Sequence, residues 1–155
     1  MLTSNNNQTF RTQKVMDQVS IIYPALVMFA HTMIIIFTMG LARFIAIHKG
    51  DVSIKFFRTY SEGAQTERLH LIARHVQNLF EVPPLFYLGC LFLFVTNSVT
   101  SVALGFAWAF VGLRLVHSII HLSVNNVSYR FFCFGAGLMT VSGLWICLAV
   151  ALLSR

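Results

Sequence analysis

Charged and amide side chains interrupt two stretches that are otherwise apolar. The first stretch, residues 69–95, carries Arg74, His75, Gln77, Asn78 and Glu81. Arg74, Asn78 and Glu81 fall at i, i+4 and i+7, so a helix places them on one face with Gln77 beside them and His75 off it. The second stretch, residues 99–124, carries Arg114, His117, Ser118 and His121. Arg114, His117 and His121 fall at i, i+3 and i+7 and share a face that Asn125 continues. An ion network that only fixes helix register needs one acid and one base. Arg74 and Arg114 have Glu81 alone as counter-ion, with histidines and amides around them, and this excess of cations and donors suits an anionic ligand bearing carboxylates or phosphates. Register-fixing remains the plainer alternative.

The elements that hold these residues follow from composition. Of 155 residues, 57% are hydrophobic and 10% charged, against roughly a quarter charged in a soluble domain. An ordinary cytosolic enzyme and a disordered chain are both excluded. Four runs satisfy the need for about 20 apolar residues per span: residues 21–47, 69–95, 99–124 and 131–153. A polar tail, residues 1–20, precedes them. The first run is too long and too far from the N-terminus for a cleaved signal peptide. The connections at Thr96–Ser98 and Asn125–Arg130 are short, and short connections make neighbours antiparallel. The expected fold is therefore all-α, a four-helix up-down membrane bundle in one domain, residues 21–155. Ionisable groups at membrane depth are costly and mark function by default.

The net charge is +6. The basic residues form no run or stripe, so nucleic acid is not an expected partner, and basic loops beside a lipid bilayer explain the excess. Arg43, Lys49, Lys55, Arg58, Arg68 and Arg130 lie on the side of the first and third loops, whereas Arg11, Lys14 and Arg155 lie on the side of the termini. The bias puts the first and third loops in the cytoplasm. At about 1.5 Å per residue, Glu81 is about 18 Å and Arg114 about 15 Å from that side, so the two polar faces are expected to meet at one depth. An Arg74/Arg114 pair with Glu81 as counter-ion would make burial tolerable.

Several other features have plain readings. Pro83 and Pro84 predict a break directly after Glu81. His31, alone on an apolar face, reads as an interhelical histidine. Gly135, Gly137 and Gly143 suit close helix approach. Cys90, Cys133 and Cys147 lack metal-ligand spacing and read as small buried hydrophobes. A haem held by His75 with His117 or His121, and a proton-coupled transporter, are weaker readings; neither metal nor haem is expected.

The runs RHVQNLFEVPPLFY (74–87) and AWAFVGLRLVHSIIHLSVNNVSYRF (107–131) resemble the MAPEG family, the membrane-associated proteins in eicosanoid and glutathione metabolism, in its bacterial branch. The resemblance covers the chain from about Tyr23. It implies a homotrimer in the bacterial inner membrane, with glutathione as co-substrate bound between subunits on the cytoplasmic side and a small lipophilic electrophile as the other substrate. Residue by residue, the family's arginine, asparagine and glutamate fall on Arg74, Asn78 and Glu81. A glutathione-contacting arginine of some members is Gln77 here. Arg114, His117 and Arg130 match the third-span arginine, the histidine of prostaglandin E synthase and the thiolate-stabilising arginine. The arginine ending the first span aligns with Arg43.

Two departures bear on the chemistry. His121 stands where that synthase has tyrosine, and Phe131 where it has serine, so the resemblance does not extend to prostaglandin synthesis. It implies that Arg130, His117 and His121 serve catalysis and that Arg74, Gln77, Asn78, Glu81, Arg114 and Arg43 bind glutathione. The activity implied is that of a transferase or peroxidase. A non-catalytic lipid-binding scaffold, as one family member is, remains the alternative.

Overall fold

A computed structural model describes residues 18–59 and 66–154. The helices are α1 (Ile22–His48), α2 (Phe56–Thr59), α3 (Glu67–Glu81), α4 (Pro83–Val95), α5 (Ser101–Leu122) and α6 (Val127–Leu153). Four stretches are long and apolar enough to cross a membrane: α1, the α3–α4 pair, α5 and α6. The protein is an all-α, four-span bundle. The polar tail, with Arg11 and Lys14, and the Ser61–Gly63 turn lie outside the described residues, as does Arg155.

Each break in the helical ladder has a local cause. Proline lacks an N–H and fits the first helical position. Pro83 and Pro84 accordingly open α4, and Val82 serves as the last cap of α3 and the first of α4. The second span is thus two helices hinged at Val82. Helix α1 ends in a Schellman motif: Gly50 takes φ +78°, its N–H donates to Ile47 O, and the Asp51 N–H donates to Ala46 O. The α4 end repeats this with Asn97 at φ 53°, where Ser98 N–H donates to Leu93 O. The side-chain amide of Gln18 clamps the α4–α5 turn, accepting from Val99 N–H and donating to Val99 O.

One boundary differs from the sequence expectation in a way that moves a candidate residue. Asn126 accepts hydrogen bonds from the N–H groups of Ser128 and Tyr129. A capped helix therefore starts at Val127 rather than Phe131. Arg130 belongs to the first turn of α6 and not to a loop.

Helix α5 makes its broadest contact with α6, and α1 packs on α3, α4 and α5. Met28, Phe86, Leu93, Phe110 and Leu144 are central in the core. Phe37, Phe44, Met139 and Ile146 instead face outward and are largely exposed, as expected of an outer surface in lipid. Cys90 is buried while Cys133 and Cys147 are half-buried, and all three are free thiols.

The glycine contacts only partly follow the sequence expectation. A side chain at Gly143 would meet the Phe106 ring at 2.7 Å, and one at Gly137 would sit 3.7 Å from Arg114 Nε. Gly135 has nothing within 4 Å. Gly89 is a close-approach position that the sequence did not flag: an added Cβ would lie 2.9 Å from Leu144 Cδ2 and 3.3 Å from Trp145 Nε1. Leu144 is buried, and the Trp145 indole donates to Leu85 O, so neither can yield freely. Gly89→Ala should cost about 1–3 kcal/mol by overpacking. Gly135→Ala should be neutral or gain up to about 1 kcal/mol of helix propensity. Thermal unfolding of the two variants in detergent checks the contrast.

Candidate functional site

The inward stripe of α3 is Leu69, Ile72, His75 and Leu79. This spacing is helical, so His75 turns inward with the leucines. Arg74, Gln77 and Glu81 are exposed on the protomer and Asn78 is half-buried. On α5 the inward stripe runs through Ala107, Phe110, Arg114, His117 and His121. The two polar faces expected to meet are therefore not packed on each other within the protomer. His75, assigned off the site, is the α3 residue that meets the α5 face. A residue step of about 100° that brings His75 in carries Arg74 out.

The interior seam is built of imidazoles around one hydroxyl. Ser118 Oγ lies 2.8 Å from His31 Nε2 and 2.7 Å from His75 Nε2, and it donates to Arg114 O at 2.9 Å. His31 is thus an interhelical histidine, as its isolation suggested. His75 has the His121 ring at 4.9 Å and the His117 ring at 5.8 Å between centroids. Relative exposures are 1% for His75, 2% for Arg114, 2% for His117 and 0% for His121.

Arg114 is the costliest of these groups. Its guanidinium is sandwiched by Phe110 and Phe134, 5.1 and 5.0 Å from the ring centroids. Desolvated cation–π contacts of this kind are worth about 2 kcal/mol each. None of its three nitrogens has a hydrogen-bond partner among the described residues. Glu81 lies within electrostatic reach of Arg114 but is exposed. The ion network expected from Arg74, Glu81 and Arg114 is not formed within the protomer, because α3 is rotated to put its apolar stripe inside.

The charged group forms instead where α3, the end of α5 and the start of α6 converge. Asn125 adopts φ 51°, and its Oδ1 accepts from Arg130 Nη1 at 2.6 Å. That contact holds Arg130 where its charge reaches Arg74, and both reach His121. Among the described residues neither arginine has a carboxylate partner, and the Arg130 guanidinium has the Asn125 contact alone. A pair of guanidinium groups without a bound acid favours carboxylate or thiolate ligands. Arg43 lies apart from these groups: its guanidinium covers the Phe57 ring at 5.2 Å, near the end of α1. Among the described residues, no group of three or more His, Cys, Asp or Glu is arranged to hold a metal ion.

Sequence reasoning missed the Ser118 junction and the inward His75. The signal was present in the i, i+3 continuation of Leu69 and Ile72 to residue 75.

The model of the MAPEG family matches residues 21–150. No curated protein and no solved structure matches the chain.

Ser118→Ala should leave the Nε2 atoms of His31 and His75 buried without a partner, at about 1–3 kcal/mol for each group. Ser123→Ala, at an exposed position, should change stability by less than about 0.5 kcal/mol. Thermal unfolding of the two variants side by side checks this.

Proposed function

The chain belongs to the MAPEG family, and from that premise we propose that it is a glutathione-dependent transferase or peroxidase acting on a lipophilic electrophile. The family is in general one of membrane glutathione-related transferases and peroxidases, and the chain is an integral multi-pass membrane protein. The reading further takes the site to lie between the subunits of a homotrimer, with the first and third loops in the cytoplasm of a bacterium.

The observation that carries the proposal is the exposed polar face of α3 on a spanning segment, with Arg130 anchored by Asn125 at the start of α6. Arg74, Gln77 and Glu81 are exposed on a spanning segment. Such groups do not face hydrocarbon, so a neighbouring subunit or a polar ligand must cover them.

Glutathione is a zwitterion with two carboxylates, one ammonium and one thiol, and the exposed face offers a match to each. In this reading Arg74 takes a carboxylate and Glu81 the ammonium, while Asn78 and Gln77 bond the peptide amides. Arg43 lies apart from this face within the protomer, and in this reading the Arg43 of an adjacent subunit takes the other carboxylate. Arg130 stabilises the sulfur, because nearby cations lower a thiol pKa and the thiolate is the nucleophile. The thiol proton passes to water, the thiolate sulfur forms a bond to the electrophilic atom, and the leaving group departs with the electron pair of the broken bond and takes up a proton from water. His117 and His121 are closed within the protomer. Their part is to orient the α5 end beneath Arg130, with proton transfer if that end opens. Arg114 supplies positive potential from behind the site.

One observation favours a second reading, a non-catalytic lipid-binding protein. A lateral groove of about 520 Å³ between α1 and α5, lined by Ile35, Leu115, Ile119 and Leu122 with His31 and Ser118 at its base, would suit an acyl chain. In the enzyme reading the same groove admits the lipophilic substrate from the bilayer.

Titrating detergent-purified protein with glutathione and following thiolate absorbance separates the readings. Saturable thiolate formation is expected, abolished in Arg130→Ala and shifted about tenfold or more to weaker binding in Glu81→Gln, the loss of one charge-assisted contact. Absence of a thiolate signal at millimolar glutathione would sink the enzyme reading. Native mass spectrometry of the same sample should give three copies per particle; a monomer would remove the intersubunit site.

A further inference from the structure

At the bundle end where α1 stops and α3 starts, a second site is formed that the glutathione reading does not use. A cleft of about 390 Å³ opens between the two helices. Its walls are apolar, with Leu41 and Ile45 on α1 and Leu69 and Ile72 on α3, and its rim carries Lys49 and Arg68 with Asp51 and Thr66. The rim is built rather than incidental. The Schellman turn at Gly50 sets Lys49 and Asp51, and a satellite cluster of Ala46, Val52, Phe56 and Leu69 pins the connection beneath it.

Depth and charge select the occupant. Helix α1 has 27 residues, about 40 Å at 1.5 Å per residue, and hydrocarbon is about 30 Å thick. Lys49, one residue beyond that helix, therefore stands at headgroup level while Leu41 and Ile45 stand within the acyl region. Lys49 and Arg68 are both exposed, and Asp51 is the one carboxylate lining the cleft. Lys55 and Arg58 follow on the same connection, so the local balance is positive. A free anion would use the rim alone, and a neutral hydrocarbon would use the walls alone. A molecule with a phosphate joined to acyl chains uses both.

We propose that this cleft binds an anionic phospholipid, with the phosphate against Lys49 and Arg68 and an acyl chain along Leu41, Ile45, Leu69 and Ile72. The site is independent of Arg74 and Arg130, and its test does not depend on glutathione.

Native mass spectrometry of the full chain in detergent, titrated with phosphatidylglycerol or phosphatidylcholine of identical chains, provides that test. Phosphatidylglycerol adducts should be retained about fivefold or more over phosphatidylcholine. The double variant Lys49→Gln/Arg68→Gln should lower them to the phosphatidylcholine level. Ile45→Trp, which fills the cleft, should lower both lipids with the oligomer unchanged. Lys55→Gln, off the rim, should lower phosphatidylglycerol retention less than the double variant does; an equal loss would overturn the assignment to Lys49 and Arg68. Equal retention of the two lipids, or retention unaffected by the double variant, would overturn the proposal. Displacement of phosphatidylglycerol by an equal concentration of inorganic phosphate would make this a free-anion site instead. Loss of the oligomer in Ile45→Trp would identify the cleft as a contact between copies and overturn it too.

Discussion

One hydroxyl group helps to set the rotation of the helix that carries the polar face. Ser118 Oγ on α5 touches His31 of α1 and His75 of α3 and donates its proton toward Arg114 O. The hydroxyl has one proton and two lone pairs for three neighbours, so the tautomers of the two imidazoles are coupled through it. In a low-dielectric interior a group left out of this arrangement would lose a full hydrogen bond with no water to replace it. Three helices are thereby tied at one point, which reinforces the rotation of α3 that its apolar stripe favours and that points His75 inward.

That rotation divides the polar residues into two populations. Inside are four imidazoles and the Arg114 guanidinium, the last packed between two phenylalanine rings. Outside are Arg74, Gln77 and Glu81, on a protomer surface that is otherwise strongly apolar. The outer set ends at Glu81 because α3 itself ends there, at the Val82 hinge. Arg130 joins it from another span because Asn126 starts α6 early and Asn125, in a left-handed conformation, anchors the guanidinium. An incomplete polar surface on a membrane protomer is most simply completed by another subunit, in keeping with a family whose members are generally oligomeric.

Much of this was legible along the chain. Hydropathy gave the spans because a run of apolar residues long enough to cross a bilayer is a local property of sequence. The hinge was legible because proline forbids the hydrogen bond whatever the surroundings. The Arg74, Asn78 and Glu81 face followed from helical periodicity. What periodicity does not contain is the zero of the angle: it says which residues lie together on α3 but not which way they point. The apolar positions Leu69, Ile72 and Leu79 were a guide, yet the histidine among them, set off the polar face, was not read as one of the packed positions.

Four apolar spans, a broken second span and a surplus of cations at membrane depth are fixed along the chain, since each depends on residues near one another in it. Tertiary structure alone decided that His75 rather than Arg74 meets α5, that Arg114 is housed by Phe110 and Phe134, and that Arg74 comes within reach of Arg130. Those outcomes depend on the simultaneous packing of three or more helices, in which one buried hydroxyl and a stripe of leucine and isoleucine outweigh the attraction between charges that can remain at the surface.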